Sequence, residues 1–205
     1  MHLTTTRTNL IIRFPNRLTR WFLSVAIGLL LGGCVTNIAP TSDTNPPPAE
    51  ALGGFQNYEV SQIKLAEGQD TNSNTIALVK VQENWNKNVD QMLNDWSAEG
   101  TNGRTLLIEP VVTEMKFVSG GKRFWTGAAG GSSAVLMHVT LTDKDSGKII
   151  AKPQFFQRAA AYGGAWSFGG SDNAMLVRIS SLVQQYLSDN KDQPVGGSSN
   201  LIRKE

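Results

Sequence analysis

Two segments of the chain place apolar residues three and four positions apart, which is the spacing of an amphipathic helix. The first segment ends before Gly100 and Gly103, and its apolar stripe is Leu78, Val81, Trp85, Val89, Met92 and Trp96. The second spans residues 172–189, with Ser171 or Asp172 as its N-cap. Because its two tryptophans are in phase with aliphatic residues, we expect the first stripe to belong to the core rather than to a ligand platform.

Apolar residues in short, partly alternating runs predict the strands. One run is Phe55–Ala66, and another is Arg104–Val118, in which Pro110 indicates a bulge or an edge. Residues 134–142 and 148–157 predict a hairpin, with the sequence DKDSG as its turn. The order β-α-β-β-β-α favours an α+β fold, in which two helices pack on a sheet of about four strands.

The first 33 residues have the pattern of a secretory signal peptide. Four arginines and no acidic residue precede the apolar run Trp21–Leu31; they are Arg7, Arg13, Arg17 and Arg20. This run is too short to cross a bilayer comfortably, since a transmembrane helix needs about 20 apolar residues. We therefore interpret residues 1–33 as a cleaved signal peptide rather than a membrane-spanning anchor.

The only cysteine of the chain, Cys34, directly follows this region. The sequence LGGC, which ends at Cys34, resembles the lipobox of bacterial lipoproteins. The resemblance implies cleavage between Gly33 and Cys34, a diacylglyceryl thioether on Cys34, and acylation of the new amino group. Two or three acyl chains would anchor the protein in a membrane, because each buried methylene contributes about 0.8 kcal/mol. An Asp directly after the lipidated cysteine resembles an inner-membrane retention signal. This chain has Val35 at that position, which favours the outer membrane and a domain that faces the periplasm.

The chain after the signal peptide divides into three parts. Residues 34–54 are rich in Pro, Thr, Asn and Gly and predict a lipidated cysteine followed by a flexible tether. Residues 55–189 form one domain, and residues 190–205 read as a disordered tail. Removal of residues 1–33 leaves 15 basic and 17 acidic residues, and this balance does not fit a nucleic-acid-binding protein.

No pattern in the chain indicates a catalytic site, a cofactor or a metal site. His138 is the only histidine after the signal peptide, so a catalytic triad would need it, and its predicted strand position favours a structural role. Asp143 and Asp145 fit a hairpin turn better than a calcium loop, because no bidentate Glu follows at the required spacing. The sequence leaves open whether these two side chains bind any cation.

Two glycine-rich segments carry aromatic and basic residues that we expect on the surface. Residues 120–131 include Arg123 and Trp125, and the segment before the last helix, residues 159–173, includes Tyr162 and Trp166. Exposed aromatic side chains suit contact with a protein, glycan or lipid, but they also fit rings that fold back over the sheet edge. Because the segments bracket the hairpin, we expect both at the end of the sheet opposite its turn. We predict that these four side chains form a surface for a partner or ligand.

Residues 121–187 resemble a bacterial lipoprotein family known as domain of unknown function 4410. The resemblance rests on GKRFWTGAAGGSSAVLMHVTLTDKDSGKIIAK and on the glycine-rich segment before the last helix; the matching positions are Arg123, Gly127, Gly130, Asp143 and Gly147. It implies an exported lipoprotein with an α+β domain, and no activity is assigned to the family.

These patterns favour a membrane-anchored envelope lipoprotein that is not an enzyme. Its domain would bind an envelope protein or support an assembly. The alternatives are a carrier or sensor of a small envelope ligand and, less favoured, an enzyme that acts on cell wall or glycan.

Overall fold

The computed structural model describes residues 38–99, 103–118, 132–159 and 170–200, with side chains of the last range described from residue 172. All of them belong to one unit, Asn37–Glu205. The predicted signal peptide, Cys34 and the four predicted surface residues lie outside these ranges, as do residues 201–205 of the predicted tail.

The main sheet contains six strand segments: β2 (Asn57–Val60), β3 (Lys64–Leu65), β4 (Thr105–Lys116), β5 (Ala134–Asp143), β6 (Ile149–Ala151) and β7 (Gln154–Arg158). It is four strands wide, in the order β2-β4-β5-β6, with β3 beside β4 and β7 beside β5. Strands β2 and β3 run parallel to β4, and the other neighbouring pairs are antiparallel. The α+β class is confirmed, and the strand number exceeds the prediction because the outer strands are each split in two.

Pro110 lies in the central strand β4, not at an edge or a bulge as predicted. Its neighbour in β5, Val139, donates its N–H away from β4 to the carbonyl of Pro153 at 3.0 Å. Directly opposed residues of an antiparallel pair point their N–H groups either toward each other or away from each other, so the nitrogen of Pro110 faces away from β5. On that side β2 ends opposite Ile108 and β3 begins opposite Val111, so no residue of either strand lies opposite Pro110. The missing N–H of the proline therefore costs the sheet no hydrogen bond.

The first predicted helix is divided into three parts: α1 (Asn72–Trp85), a π-helical turn (Asn86–Asp90) and α2 (Gln91–Ser97). Its buried residues include a series four positions apart, namely Ala77, Val81, Trp85, Val89 and Leu93. Each such step turns about 40° beyond a full α-helical turn. The wider π turn reduces this drift and keeps the series directed at the sheet.

The last helix, α3 (Gly170–Asp189), starts before the predicted N-cap, so Asp172 lies in its first turn. It packs beside α1 and the π turn: the Ser180 hydroxyl donates to the Val81 carbonyl at 3.4 Å, and the Gln184 amide donates to the Asn88 carbonyl at 3.3 Å.

The two tryptophans of the first predicted helix are buried. Trp85 is fully buried and Trp96 is 6% exposed, which confirms that both belong to the core.

The structure corrects the predicted tether and tail for residues 38–54 and 190–200, which pack against the domain. We call residues 38–54 the strap. Its short strand β1 (Thr44–Asn45) pairs with β8 (Gly197–Ser198) from the predicted tail. The Asn45 amide donates to the Gln154 carbonyl and its oxygen accepts from the Gln154 N–H, both at 2.8 Å. These contacts are made by single polar side chains, so the sequence of these segments shows no periodic pattern of hydrophobic residues.

Candidate functional site

The described flanks of the two glycine-rich segments meet at one end of the main sheet. Ala134 at the start of β5 pairs with Lys116 of β4 on one side and with Arg158 of β7 on the other. Buried Ser133 joins the same strands, because its hydroxyl accepts from the Val118 N–H at 3.0 Å and its carbonyl from the Ala159 N–H at 2.9 Å. Arg123, Trp125, Tyr162 and Trp166 lie outside the described residues, and their role as a partner surface stays a prediction.

The strap covers this end of the sheet with an apolar contact. Ile38 is 5% exposed and packs with Ala134, Leu136 and Phe156 on the sheet face opposite the helices. The guanidinium of Arg158 lies 5.6 Å from the Phe156 ring centroid and donates to the Ile38 carbonyl at 3.4 Å. We call this end, with its row Lys116–Ala134–Arg158, the Ile38 end.

Further along the strap, polar contacts continue across β7 and toward the opposite end of the sheet. The Thr41 N–H donates to the Gln154 side-chain oxygen at 3.0 Å, and the Gln154 amide donates to the Thr41 hydroxyl at 2.6 Å. The Ala49 N–H then donates to the Ile150 carbonyl at 2.8 Å. Because these bonds follow one another along the strap, its path over the sheet is fixed from Ile38 onward.

The opposite end of the sheet holds the hairpin turn and an ion-pair network. The guanidinium of Arg104 donates to Asp143 Oδ2 at 2.6 Å and to Glu50 Oε2 at 2.7 Å. The hydrogen bond from Arg104 is the main reason that the pKa of Asp143 falls to about 2, and it also lowers the pKa of Glu50. The network therefore joins the strap, β4 and β5, and Asp143 has a structural role in it.

The turn itself has the geometry that the sequence predicts. Gly147 has a φ of +70°, and its N–H donates to the Asp143 carbonyl at 2.8 Å. Asp145 accepts from the Thr105 N–H at 3.2 Å. Among the residues that the structure describes, no three His, Cys, Asp or Glu side chains are placed to share a metal ion. The oxygens of Asp143 are used by Arg104 and by the Asp145 N–H.

His138 lies half-buried on the sheet face opposite the helices. Its Nδ1 is 3.0 Å from the hydroxyl of Thr113, which also lies 3.3 Å from the Leu136 carbonyl. Thr113 is the extra residue of a β-bulge in β4, and sequence reasoning placed no bulge there. Burial lowers the pKa of His138, which favours the neutral ring. The contact fits a structural role, in which the imidazole binds the polar group of the bulge.

The π turn contains a polar pair that the sequence did not reveal. Trp85 Nε1 and Asp90 Oδ1 are buried, and neither makes a hydrogen bond of normal geometry within the described part of the chain. Burial raises the pKa of Asp90, and the Trp85 indole offsets part of this rise. The two residues are five positions apart, which is the hydrogen-bond spacing of a π helix, so the turn itself brings their side chains together.

No protein-family model matches the sequence, and no curated protein sequence matches it significantly. The resemblance to domain of unknown function 4410 is therefore not confirmed by a family match.

Several solved structures are similar in part. The PelC dodecamer from Paraburkholderia phytofirmans is 15% identical in sequence, and the match covers 69% of this chain and 94% of the PelC chain, with a TM-score of 0.37. A candidate lipoprotein from Caulobacter crescentus CB15 is 15% identical, with 67% and 92% covered and a TM-score of 0.31. Protein XCC0632 from Xanthomonas campestris, of family DUF330, is 12% identical, with 74% and 91% covered and a TM-score of 0.38. These values are too low to assign a family.

Proposed function

We propose that this chain is a lipid-anchored protein of the bacterial cell envelope, whose α+β domain binds an envelope protein or supports an assembly without catalysis. The observation that carries the proposal is the sequence LGGC at the end of a basic and then apolar leader. No helix within the described ranges is both long and apolar enough to cross a bilayer. On this proposal the acyl chains on Cys34 supply the membrane attachment.

The anchor is tested by replacement of the sulfur that would carry the lipid. Cys34→Ser removes the nucleophile for the diacylglyceryl group, so the variant should take up no labelled fatty acid and should keep its leader. Val35→Ser is the matched control, because it introduces the same residue one position later and leaves Cys34 in place. Normal fatty-acid labelling of Cys34→Ser would contradict the proposal.

The proposal assigns no catalytic role to two titratable side chains that sequence analysis considered for chemistry. His138 contacts the hydroxyl of the bulge residue Thr113, and the carboxylate of Asp143 is paired with Arg104. Both contacts hold strands together, so the proposal gives both groups a structural role rather than a catalytic one.

The partner surface is proposed at the two glycine-rich segments, with Arg123, Trp125, Tyr162 and Trp166. Support comes from their flanks, which lie side by side at the Ile38 end. A photo-crosslinking residue at Tyr162 or Trp166, in cells, should capture one defined envelope protein. The same residue at Ser146, in the turn at the opposite end, is the control and should not capture it. Equal capture at all three positions, or none at the first two, would contradict this surface.

A further inference from the structure

The strap leaves very little free chain between the proposed anchor and the folded domain. Ile38 is the first described residue and is already buried against Ala134, Leu136 and Phe156. Ile38 lies four positions after Cys34, and a chain of that length reaches at most about 14 Å. The sequence alone predicted a tether about five times longer, which would have let the domain tumble freely.

The position of Ile38 on the domain decides which part of the protein this short reach brings to the membrane. Ile38 packs at the end of the sheet where β5 begins and β7 ends. The hairpin turn lies at the other end of β5, and ten strand residues span about 30 Å. The helix α3 follows the same axis: Arg178 in its middle donates to Gln157 and Arg158 at the Ile38 end, whereas Asn190 just past its last turn accepts from Leu52.

We propose that the Ile38 end of the sheet is a membrane-contacting surface, and that the domain stands on the bilayer with this end down and the hairpin turn away from it. The occupant of the surface is the lipid bilayer in which the acyl chains of Cys34 are inserted, so a protein partner captured at the glycine-rich segments would be a protein of the same membrane. The inference rests on the proposed lipid anchor, and it adds an orientation that an anchor alone does not fix.

Two single-cysteine variants on α3 measure this orientation. Asn173 is exposed in the first turn of the helix, beyond the Ile38 end, and Asp192 is exposed just past the last turn. The introduced cysteine is the only free thiol once Cys34 is acylated, so a fluorescent donor can be attached there. The acylated full-length protein is then reconstituted into vesicles of phosphatidylethanolamine and phosphatidylglycerol that contain a headgroup-labelled acceptor lipid.

We expect energy transfer from Asn173→Cys to exceed that from Asp192→Cys several-fold, because the helix separates the two labels by about 25 Å. An insertion of ten Gly and Ser residues between Thr36 and Asn37 should remove most of this difference. Equal transfer from both labels, stronger transfer from Asp192→Cys, or a difference that survives the insertion would overturn the proposal. Mass analysis of the same samples reports acylation separately, so failure of the anchor is distinguished from failure of the orientation.

Discussion

Replacement of Asn190 by alanine should destabilise the domain and release the strap. Asn190 is fully buried at the end of α3, and its side chain makes four hydrogen bonds. Its amide donates to the carbonyls of Tyr186 at 2.7 Å and Gly196 at 2.8 Å, and its oxygen accepts from the N–H groups of Val195 and Gly196, each at 2.8 Å. It therefore holds the chain that leads into β8, the partner of β1 in the strap.

The expected loss follows from the number of buried bonds. Three of the four bonds are buried, and each contributes about 1 kcal/mol net, with a larger cost where a backbone group is left unpaired. We expect Asn190→Ala to lower the free energy of unfolding by about 3 to 4 kcal/mol. For a domain of this size that corresponds to a fall of about 10 °C in Tm.

Urea unfolding followed by tryptophan fluorescence measures this loss, because Trp85 and Trp96 are buried in the native state. Limited proteolysis should show faster cleavage within residues 38–54. Asn94→Ala, the same substitution at an exposed helical position, is the control and should change stability by less than about 0.5 kcal/mol. A loss below about 1 kcal/mol in Asn190→Ala, without faster cleavage of the strap, would refute the reasoning.

Three further predictions concern an ion pair, a core side chain and the residue after Cys34. Asp143 has a folded pKa of about 2 against the usual 3.8, so its charge stabilises the fold above pH 3.8 and this contribution is lost as the pH falls toward 2. Asp143→Asn should therefore make the free energy of unfolding less dependent on pH in this acid range. An unchanged pH dependence would contradict the role of Arg104. Trp85→Ala should cost about 3 to 5 kcal/mol in urea unfolding, because the ring is fully buried, whereas a cost below about 1 kcal/mol would contradict its place in the core. Val35→Asp should move the protein from the outer to the inner membrane fraction in a density gradient, and an unchanged distribution would argue against the proposed outer-membrane location.

The sequence predicted the elements that are built on periodic apolar burial. The first helix and the last both carry a long stripe, and the hairpin with its turn at Gly147 follows from alternation and a positive φ. The π turn was missed, although the buried series at a constant spacing of four from Ala77 to Leu93 is a signal that could have revealed it.

The strap and the ordered tail could not be predicted in the same way. Asn45 holds the strap by side-chain bonds to the backbone of Gln154, 109 positions away in the sequence, and Asn190 holds the tail by side-chain bonds to the backbone of Gly196. A polar residue that makes such bonds looks in the sequence like any loop residue. The candidate surface was predicted only as far as its position, since adjacency of the hairpin ends follows from topology. Which side chains form that surface depends on loop conformation, which no period in the sequence encodes.

The mass of the N-terminal peptide of the protein isolated from its membrane tests the central claim most directly. The account predicts a mature chain that begins at Cys34, carries a diacylglyceryl group on its sulfur and has an acyl chain on its amino group. A chain that begins at Met1, or one in which Cys34 is a free thiol, would contradict the account.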